Sequence, residues 1–398
     1  MSDTTPRPDD GALARLAERS IRLITDLQTP EGAYPASPTF SAYVGYSWLR
    51  DGSFIADAAS AAGAVDSASR FYGWCADVLE RRADSIRWIV AESRAGRPPA
   101  AEHMLPARFT FGGEDGVDEW WDFQLDGYGT WLWALVAHLE RHGLDGDAYR
   151  EAVALTADYL LASWQRPCYD WWEEHAQHVH ISTLACIAAG LESVARAGLV
   201  DDETVGRIRV EAVEIHRLVA EHGTSHGHLI KWVGSTAVDG SLAAAIAPLG
   251  FTDAASDVGR RTIAVLEAHL VVEGGAHRYL GDTFFGGGQW PLLTCFLGLA
   301  HLEAGDRERA DELFLWAAST ATPELDMPEQ VPSHLIAPGM RQEWIDRWGP
   351  AATPLLWSHA MLLRLGIALG RIDPATLSAA VAQHTPIPAA RAQEEALR

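Results

Sequence analysis

Cysteine, long apolar runs and alternating β-branched segments are all scarce in this 398-residue chain. Its cysteines are isolated and form no CxxC pair, which argues against a disulfide framework and a cysteine-based metal site. No apolar run has the length of a membrane span, so no membrane partner is expected. The near absence of alternating β-branched residues argues against a β-rich fold. The cysteines, which we interpret as reduced core residues, are Cys75, Cys168, Cys186 and Cys295.

Acidic residues outnumber basic ones, because the chain has 54 Asp and Glu but 31 Lys and Arg, which gives a formal net charge of −23. A surface of this sign repels phosphate backbones and anionic lipids, which argues against nucleic acid as a partner. The N-terminal segment is acidic and lacks the basic and apolar parts of a secretory signal, so a cytoplasmic protein is expected. A small neutral ligand such as a sugar is compatible with this charge.

Apolar residues recur at i, i+3, i+4 and i+7 along most of the chain, which predicts an all-α protein of about a dozen helices. The helices come in consecutive pairs without the residue-level repeat of a solenoid, so we expect a closed toroid of helical hairpins. We predict one domain over 1–385 and a frayed tail over 386–398. Gly190 and Gly198 are interpreted as end signals of one helix. The predicted helices are 11–28, 50–63, 66–95, 126–142, 147–164, 180–198, 202–221, 252–268, 290–304, 306–320, 352–369 and 373–383.

Longer connections rich in aromatic residues and glycine separate certain helices and follow alternate ones, as they would if they met at one end of a barrel. Many of the 16 tryptophans lie in or beside them, and indole rings stack on the flat faces of sugars. About half of these tryptophans are equally compatible with simple core filling. Trp120, Trp172 and Trp290 lie near carboxylates, which favours a carbohydrate pocket. The connections are 33–49, 102–125, 166–179, 222–240, 270–289 and 322–350.

Three short segments carry candidate catalytic or binding groups. Glu173 and Glu174 follow two tryptophans, and burial against indole raises a carboxyl pKa, as a general acid requires. Glu329 is a second candidate, because inverting glycosidases use two carboxyls that admit a water between them. Arg50 and Asp51 form a donor and acceptor pair suited to neighbouring sugar hydroxyls. Each segment alone is also compatible with a structural role, as a helix cap, a first-turn acid or a solvated charge.

Taken in order, these segments resemble the signatures of glycoside hydrolase family 15, the glucoamylase family. The resemblance runs from about residue 40 to 365 and rests on five ordered motifs. They are Tyr46-Ser47-Trp48-Leu49-Arg50-Asp51, Trp120 with Gln124-Leu125-Asp126-Gly127, Tyr169-Asp170-Trp171-Trp172-Glu173-Glu174, Arg278-Tyr279 with Asp282-Thr283 and Trp290, and Glu329-Gln330. After the fifth motif, the segment 352–360 resembles the helix that closes the family's barrel.

The resemblance implies an (α/α)6 barrel and an inverting, exo-acting hydrolase that releases β-glucose from an α-glucoside without a cofactor. It implies Glu173 as general acid, Glu329 as general base, and Tyr43 or else Tyr46 beside the base. The implied substrate-binding residues are Tyr46, Trp48, Arg50, Asp51, Trp120, Trp172, Glu174, Arg278 and Trp290.

Two departures from the family pattern carry expectations of their own. Phe284 and Phe285 stand where many members have tyrosines, so we hypothesise that Tyr43 is freer to take part in water activation. The chain also lacks the β-sandwich and starch-binding modules frequent in the family. We therefore favour a short substrate, with α-1,6-linked isomaltose ahead of maltose.

Other interpretations remain open at this point. Trehalose or maltooligosaccharides are alternative substrates, and a sugar-binding protein without turnover is an alternative on the same barrel. A cluster of histidines is formed by His175, His178 and His180. No spaced carboxylate completes a recognisable ligand set, so we predict no metal. We expect at least one of these histidines to support the Glu173 loop by a hydrogen bond. A monomer is the default expectation.

Overall fold

The computed structural model describes residues 9–383, and these contain fifteen α-helices and six short β-strands. The tail predicted over 386–398 lies outside the described residues. The helices are α1 Asp10–Leu27, α2 Leu49–Ala61, α3 Val65–Glu80, α4 Ala83–Arg94, α5 Asp126–His142, α6 Arg150–Ser163, α7 Ile181–Arg196, α8 Asp202–His222, α9 Leu242–Ile246, α10 Asp257–Leu270, α11 Pro291–Glu303, α12 Arg307–Ser319, α13 Arg341–Trp348, α14 Leu356–Ala368 and α15 Pro374–Gln383. The strands are β1 Tyr46–Trp48, β2 Arg108–Thr110, β3 Thr224–Ser225, β4 His228–Leu229, β5 Val271–Val272 and β6 Gly275–Ala276.

Six helices form a closed inner ring in the order α2, α5, α7, α9, α11 and α14, with α14 returning to α2. The helices α1, α3, α6, α8, α10 and α12 alternate with them along the chain and pack outside. This is the predicted (α/α)6 barrel. No helix among residues 9–383 is long and apolar enough to cross a bilayer.

The burial pattern explains which helices lie inside. In α11 every residue from Pro291 to His301 is buried, and a helix that is apolar on all sides is stable only when surrounded by protein. In α8 the buried residues are Thr204, Ile208, Ala212, Ile215 and Val219, a single stripe at helical spacing. An outer helix therefore needs one apolar face, whereas an inner helix needs apolar or small residues all round.

Gly129 and Gly190 allow α5 and α7 to touch backbone to backbone. A Cβ on Gly190 would lie 2.3 Å from the carbonyl oxygen of Gly129, and one on Gly129 would lie 2.4 Å from that of Cys186. Gly190 is therefore a packing residue inside α7, and its interpretation as a helix end signal was wrong. Gly198 does follow the end of α7, with a left-handed φ of 67°.

The structure differs from the predicted elements in three places. The predicted helix 66–95 is two helices, because the chain turns at Arg81 and Arg82, whose guanidinium groups bind the carbonyls of Gly112 and Gly113. Neither α9 nor α13 was predicted. The strands form three two-stranded antiparallel ladders, all within predicted connections, and β1 pairs with β2 so that Ser47 faces Phe109.

Candidate active site

A cavity of about 520 Å³ lies where five of the six predicted connections meet, and 222–240 contributes no lining residue. Its volume is within the range of small-molecule sites. All predicted site residues except Tyr46 line it, namely Tyr43, Trp48, Arg50, Asp51, Trp120, Trp172, Glu173, Glu174, Arg278, Trp290 and Glu329. Further lining residues for which the sequence predicted no site role include Ala36, Tyr169, Tyr279, Leu355 and Trp357.

Tyr46 does not line the cavity, and its role in binding substrate stays a prediction. Its hydroxyl donates a hydrogen bond to Asp118, and its ring stacks on the Arg108 guanidinium, which lies 3.8 Å from the ring centroid. The other face of that guanidinium lies 3.9 Å from a Trp120 ring. A cation between two aromatic faces is a stabilising arrangement, so Tyr46 supports Trp120 through Arg108.

Two hydrogen bonds to Glu173 go to the same carboxylate oxygen. The Trp48 indole N–H donates to Oε1 at 2.7 Å and the Gln124 amide donates to the same atom at 3.3 Å. Burial raises the pKa of Glu173, while the Arg50 guanidinium and the side-chain donors Trp120, Trp48 and Gln124 act in the opposite direction. The Trp120 indole therefore also faces this carboxyl group.

The backbone of Glu173 is left-handed, with φ of 63°. A residue with a Cβ rarely adopts this conformation unless its surroundings hold it there. Here Oδ1 of Asp170 accepts the N–H groups of Trp172 and Glu174, each at 2.9 Å. The Glu173 N–H donates to the Asp170 carbonyl at 2.9 Å. Asp170 is therefore the anchor of the turn that presents Glu173.

Glu329 lies in the cavity wall with 2% of its surface exposed. Burial raises its pKa to about 8, and the hydrogen bond from Tyr43 together with the charge of Arg278 acts in the opposite direction. The Tyr43 hydroxyl donates to Oε1 at 2.8 Å. Oε2 makes no hydrogen bond within residues 9–383, which leaves it for a partner from outside the protein.

The loop before Glu329 is fastened to the beginning of α14. The Met327 N–H donates to Nε2 of His359 at 2.9 Å, and the Ser358 hydroxyl donates to the Pro328 carbonyl at 2.8 Å. The Glu329 N–H donates to the Ala352 carbonyl at 2.8 Å. These bonds fix the backbone of Glu329 in a segment that has no helix or strand of its own.

Tyr43 contacts Glu329 directly and Glu173 through Trp48. Its pKa is raised well above the usual tyrosine value by burial and then by the charges of Glu329 and Glu173. Its ring packs edge-on against Trp48, with centroids 5.3 Å apart, and Trp48 is the residue that binds Glu173. Of the two tyrosines that the sequence left as alternatives, Tyr43 is therefore the one beside Glu329.

Arg50 and Asp51 enter the cavity from the first turn of α2. One guanidinium nitrogen of Arg50 donates to Gln124 at 2.7 Å and to Asp126 at 2.8 Å, which fixes its direction. Burial raises the pKa of Asp51 to about 7, with Arg50 opposing the shift. Asp51 Oδ2 and Trp290 Nε1 are buried and make no hydrogen bond within residues 9–383, although Arg50 Nε lies 3.4 Å from Asp51 Oδ2. Buried polar atoms nearly always have partners, so this group of atoms indicates a polar ligand.

Arg278 is held in the opposite wall by Asp282, which accepts two of its N–H groups, one of them at 2.8 Å. It also lies 3.5 Å from Glu174, and Glu174 accepts a hydrogen bond from Tyr279. The charged and aromatic groups around Arg278 give this part of the cavity both donors and flat apolar faces, as a sugar ring requires. The rings nearest to the guanidinium belong to Trp172, Tyr279, Phe284 and Trp290.

Phe284 and Phe285 differ in their positions. Phe284 lines the cavity, whereas Phe285 is buried and packs against Phe40, which in turn packs against Tyr43. Neither ring offers a hydroxyl to Tyr43, and the hydrogen bond of the Tyr43 hydroxyl within the described residues goes to Glu329. The geometry is compatible with the hypothesis that Tyr43 acts on water together with the base.

The three clustered histidines pack around Trp232. His178 stacks on that ring at 4.3 Å, and His180 Nε2 contacts the His175 carbonyl at 3.0 Å, which supplies the predicted support to the Glu173 loop. Within residues 9–383, one group has the spacing of metal ligands, made of Asp170, Glu174 and His175. The Lys231 ammonium lies 3.4 Å from Asp170 and offsets its charge, which makes this group a poor cation site.

The comparisons with known proteins all lead to glycosidases. The family model for glycosyl hydrolases family 15 matches residues 12–326 and so ends just before Glu329. The isomaltose glucohydrolase of Kribbella flavida is 49% identical over 375 residues, covering 93% of this chain and 97% of that protein. A wild-type glycosidase structure superposes with a TM-score of 0.89 at 49% identity, covering 92% of this chain and 98% of its own. The glucoamylase of Saccharomycopsis fibuligera has a similar fold, with a TM-score of 0.68 at 13% identity over 95% of this chain and 98% of its own.

Proposed function

Since this chain belongs to glycosyl hydrolases family 15, we propose that it is an exo-acting α-glucosidase that hydrolyses isomaltose with inversion and releases β-glucose. The observation that carries the proposal is the pair of carboxyl groups, Glu173 and Glu329, in the wall of one cavity, with Tyr43 hydrogen-bonded to Glu329. Inverting hydrolysis needs one carboxylic acid for the leaving oxygen and one carboxylate for water. The 49% identity to an isomaltose glucohydrolase supports the α-1,6 linkage.

In this mechanism Glu173 gives its carboxyl proton to the glycosidic oxygen as the bond to the anomeric carbon breaks. Glu329 takes a proton from the water that attacks the same carbon from the opposite face. Arg50, Asp51 and Arg278 hold the hydroxyls of the terminal glucose. Glu174 and Tyr279, which are hydrogen-bonded to each other, contact the leaving sugar.

A panel of isomaltose, maltose, trehalose and dextran tests this function directly. We expect the highest kcat/KM on isomaltose, and NMR of the first product to show the β-anomer. The α-anomer as first product would contradict inversion, and a preference for trehalose would contradict the linkage. Absence of turnover on every sugar, with isomaltose binding retained, would instead support a non-catalytic binding protein.

The pH profile of a Tyr43→Phe variant tests the contact between Tyr43 and the base. The Tyr43 hydroxyl donates to Glu329 and so favours its ionised form, which means that removing the hydroxyl raises the pKa of Glu329 further. Glu329 must be ionised to accept a proton, so the acidic limb of kcat/KM is expected to move to higher pH by about one unit. Burial raises the pKa values of both Glu173 and Glu329. The acidic and the alkaline limbs of the wild-type kcat/KM profile are therefore both expected at higher pH than the titration of an exposed glutamate.

Tyr46→Phe is the matched control, because its hydroxyl binds Asp118 outside the cavity lining. It is expected to leave the acidic limb in place. A Tyr43→Phe profile that superposes on that of the wild type would rule out the proposed role of Tyr43.

We extend the proposal to the cellular location and the oligomeric state of the enzyme. The sequence favours a cytoplasmic, monomeric enzyme with one catalytic domain. The four cysteines are buried and unpaired, which supports a reducing compartment.

A further inference from the structure

The chain contains one lysine among its 31 basic residues, and that lysine is buried beside the cavity. Lys231 has 3% of its side chain exposed, and its ammonium lies 2.9 Å from Asp239 and 3.4 Å from Asp170. The same ammonium lies 3.4 Å from the centroid of the Tyr279 ring. Lys231 thus joins three connections, 166–179, 222–240 and 270–289, from behind the cavity wall.

This cluster carries two carboxylates and one ammonium in the protein interior. Burying ions is unfavourable unless each is paired, and removing the single cation leaves two neighbouring carboxylates without a counter-ion. Arginine is the basic residue everywhere else in the chain. A compact ammonium with three donors fits between two carboxylates and a ring face, where a planar guanidinium is larger and more directional.

Both carboxylates act on the turn that contains Glu173. Asp170 accepts the N–H groups of Trp172 and Glu174 and so holds Glu173 in its left-handed conformation. Asp239 accepts the Trp172 indole N–H, with its two oxygens at 2.9 Å and 3.1 Å. Tyr279, on which the ammonium rests, donates to Glu174. The three groups closest to the Lys231 ammonium, Asp170, Asp239 and Tyr279, are therefore each bound to a residue next to Glu173.

We propose that Lys231 is a positioning residue for proton transfer, since it pairs with Asp170 and Asp239 and through them fixes the backbone turn that aims Glu173 at the glycosidic oxygen. The inference rests on the proposed function and deepens it. Lys231 does not contact the reacting atoms. Its loss should therefore impair the step that needs the acid and spare the step that needs only water and the base.

Two substrates separate these steps in the full-length enzyme. Isomaltose needs a proton on its leaving oxygen, whereas α-glucosyl fluoride does not, because fluoride leaves with the electron pair of the broken C–F bond and needs little protonation. In both reactions water attacks the anomeric carbon and gives its proton to Glu329. Lys231→Met is expected to lower kcat on isomaltose by about 10²-fold, as for a misplaced catalytic group, and to change kcat on α-glucosyl fluoride by less than about threefold. KM for isomaltose is expected to change much less than kcat.

Two further variants serve as controls. Lys231→Arg keeps the charge, and its kcat on isomaltose is expected to be about tenfold higher than that of Lys231→Met. Arg141→Met removes a cation from the buried carboxylate of Asp57, with which it pairs at 2.6 Å near the far end of α5. By helix rise, Arg141 lies about 22 Å along α5 from Asp126, so this variant is expected to keep the wild-type ratio of the two rates.

An equal loss on both substrates in Lys231→Met, or no loss on isomaltose, would overturn the proposal. If that variant does not fold, Asp170→Asn is compared in the same way, and an unchanged ratio of rates would also overturn it. A wild-type enzyme that is inactive on isomaltose would refute the proposed function instead, so the two failures are distinguishable.

The single lysine also allows a spectroscopic check of its position. Protein labelled with ¹³C in lysine gives one set of side-chain resonances, and the ring current of Tyr279 is expected to move the Cε protons upfield. Tyr279→Leu should remove that shift. Resonances of the wild type at the positions of an exposed lysine would contradict the buried contact on which the proposal depends.

Discussion

Replacing Glu329 with glutamine is expected to lower kcat on isomaltose by about 10³- to 10⁴-fold without unfolding the protein. Glutamine has almost the same volume and keeps an oxygen that accepts the Tyr43 hydroxyl, so the wall of the cavity is preserved. It has no basic oxygen that accepts a proton from water. The rate on α-glucosyl fluoride is expected to fall to a similar degree, because attack by water is common to both substrates.

Glu324→Gln is the matched control for this prediction, because Glu324 lies in the same connection but is exposed to solvent. It is expected to keep the wild-type rate on both substrates. Glucose release at saturating substrate gives kcat, and thermal unfolding checks the fold. A Glu329→Gln enzyme within tenfold of the wild type would remove Glu329 from the role of base.

Replacing Glu173 with glutamine is expected to lower kcat on isomaltose by about 10²- to 10⁴-fold but to spare most of the activity on α-glucosyl fluoride. The reason is that the proposed mechanism takes the proton for the leaving oxygen from the Glu173 carboxyl group, whose pKa is raised by burial. A glutamine amide has no acidic proton to give at that position. Fluoride does not need one.

The pH profile gives a second measurement on the same variant. Burial raises the pKa of Glu173, so the wild-type rate on isomaltose is expected to fall at alkaline pH as this proton is lost. Glutamine does not titrate, and the alkaline limb is expected to disappear from the residual activity. Equal losses on isomaltose and α-glucosyl fluoride, together with an unchanged alkaline limb, would contradict the assignment of Glu173 as acid.

The same experiments compare the contribution of Glu173 with that of Lys231, which supports it. Glu173→Gln is expected to give the largest selective decrease of kcat on isomaltose. Loss of Lys231, which acts through Asp170, is expected to give the same pattern at a smaller size. A selective loss of the isomaltose rate in both variants, larger for Glu173 than for Lys231, would assign both residues to protonation of the leaving oxygen. Loss of Glu329 is expected to lower the rate on both substrates, because it affects the attack of water.

The sequence alone predicted most of the helices because the necessary information is local, whereas the (α/α)6 barrel was implied by the resemblance to the family. An inner helix such as α11 is apolar on all sides and an outer helix such as α8 has one apolar stripe, and both patterns are visible within a few turns. The sequence also predicted Glu173 and Glu329, through the tryptophans beside the first and the order of motifs around both. Even so, it missed α9 and α13, because five and eight residues are too few for a periodic signal.

What the sequence could not decide depends on residues far apart in the chain. Tyr43 and Tyr46 are three residues apart and chemically alike, but the fold brings Glu329 to Tyr43 and Asp118 to Tyr46. Likewise, nothing near Lys231 in sequence indicates that it pairs with Asp170 in another connection. Local periodicity determines which segments are helices and which face is buried. The direction of a hydroxyl or an ammonium is determined only when separate connections meet at the end of the barrel, where buried polar groups must find partners.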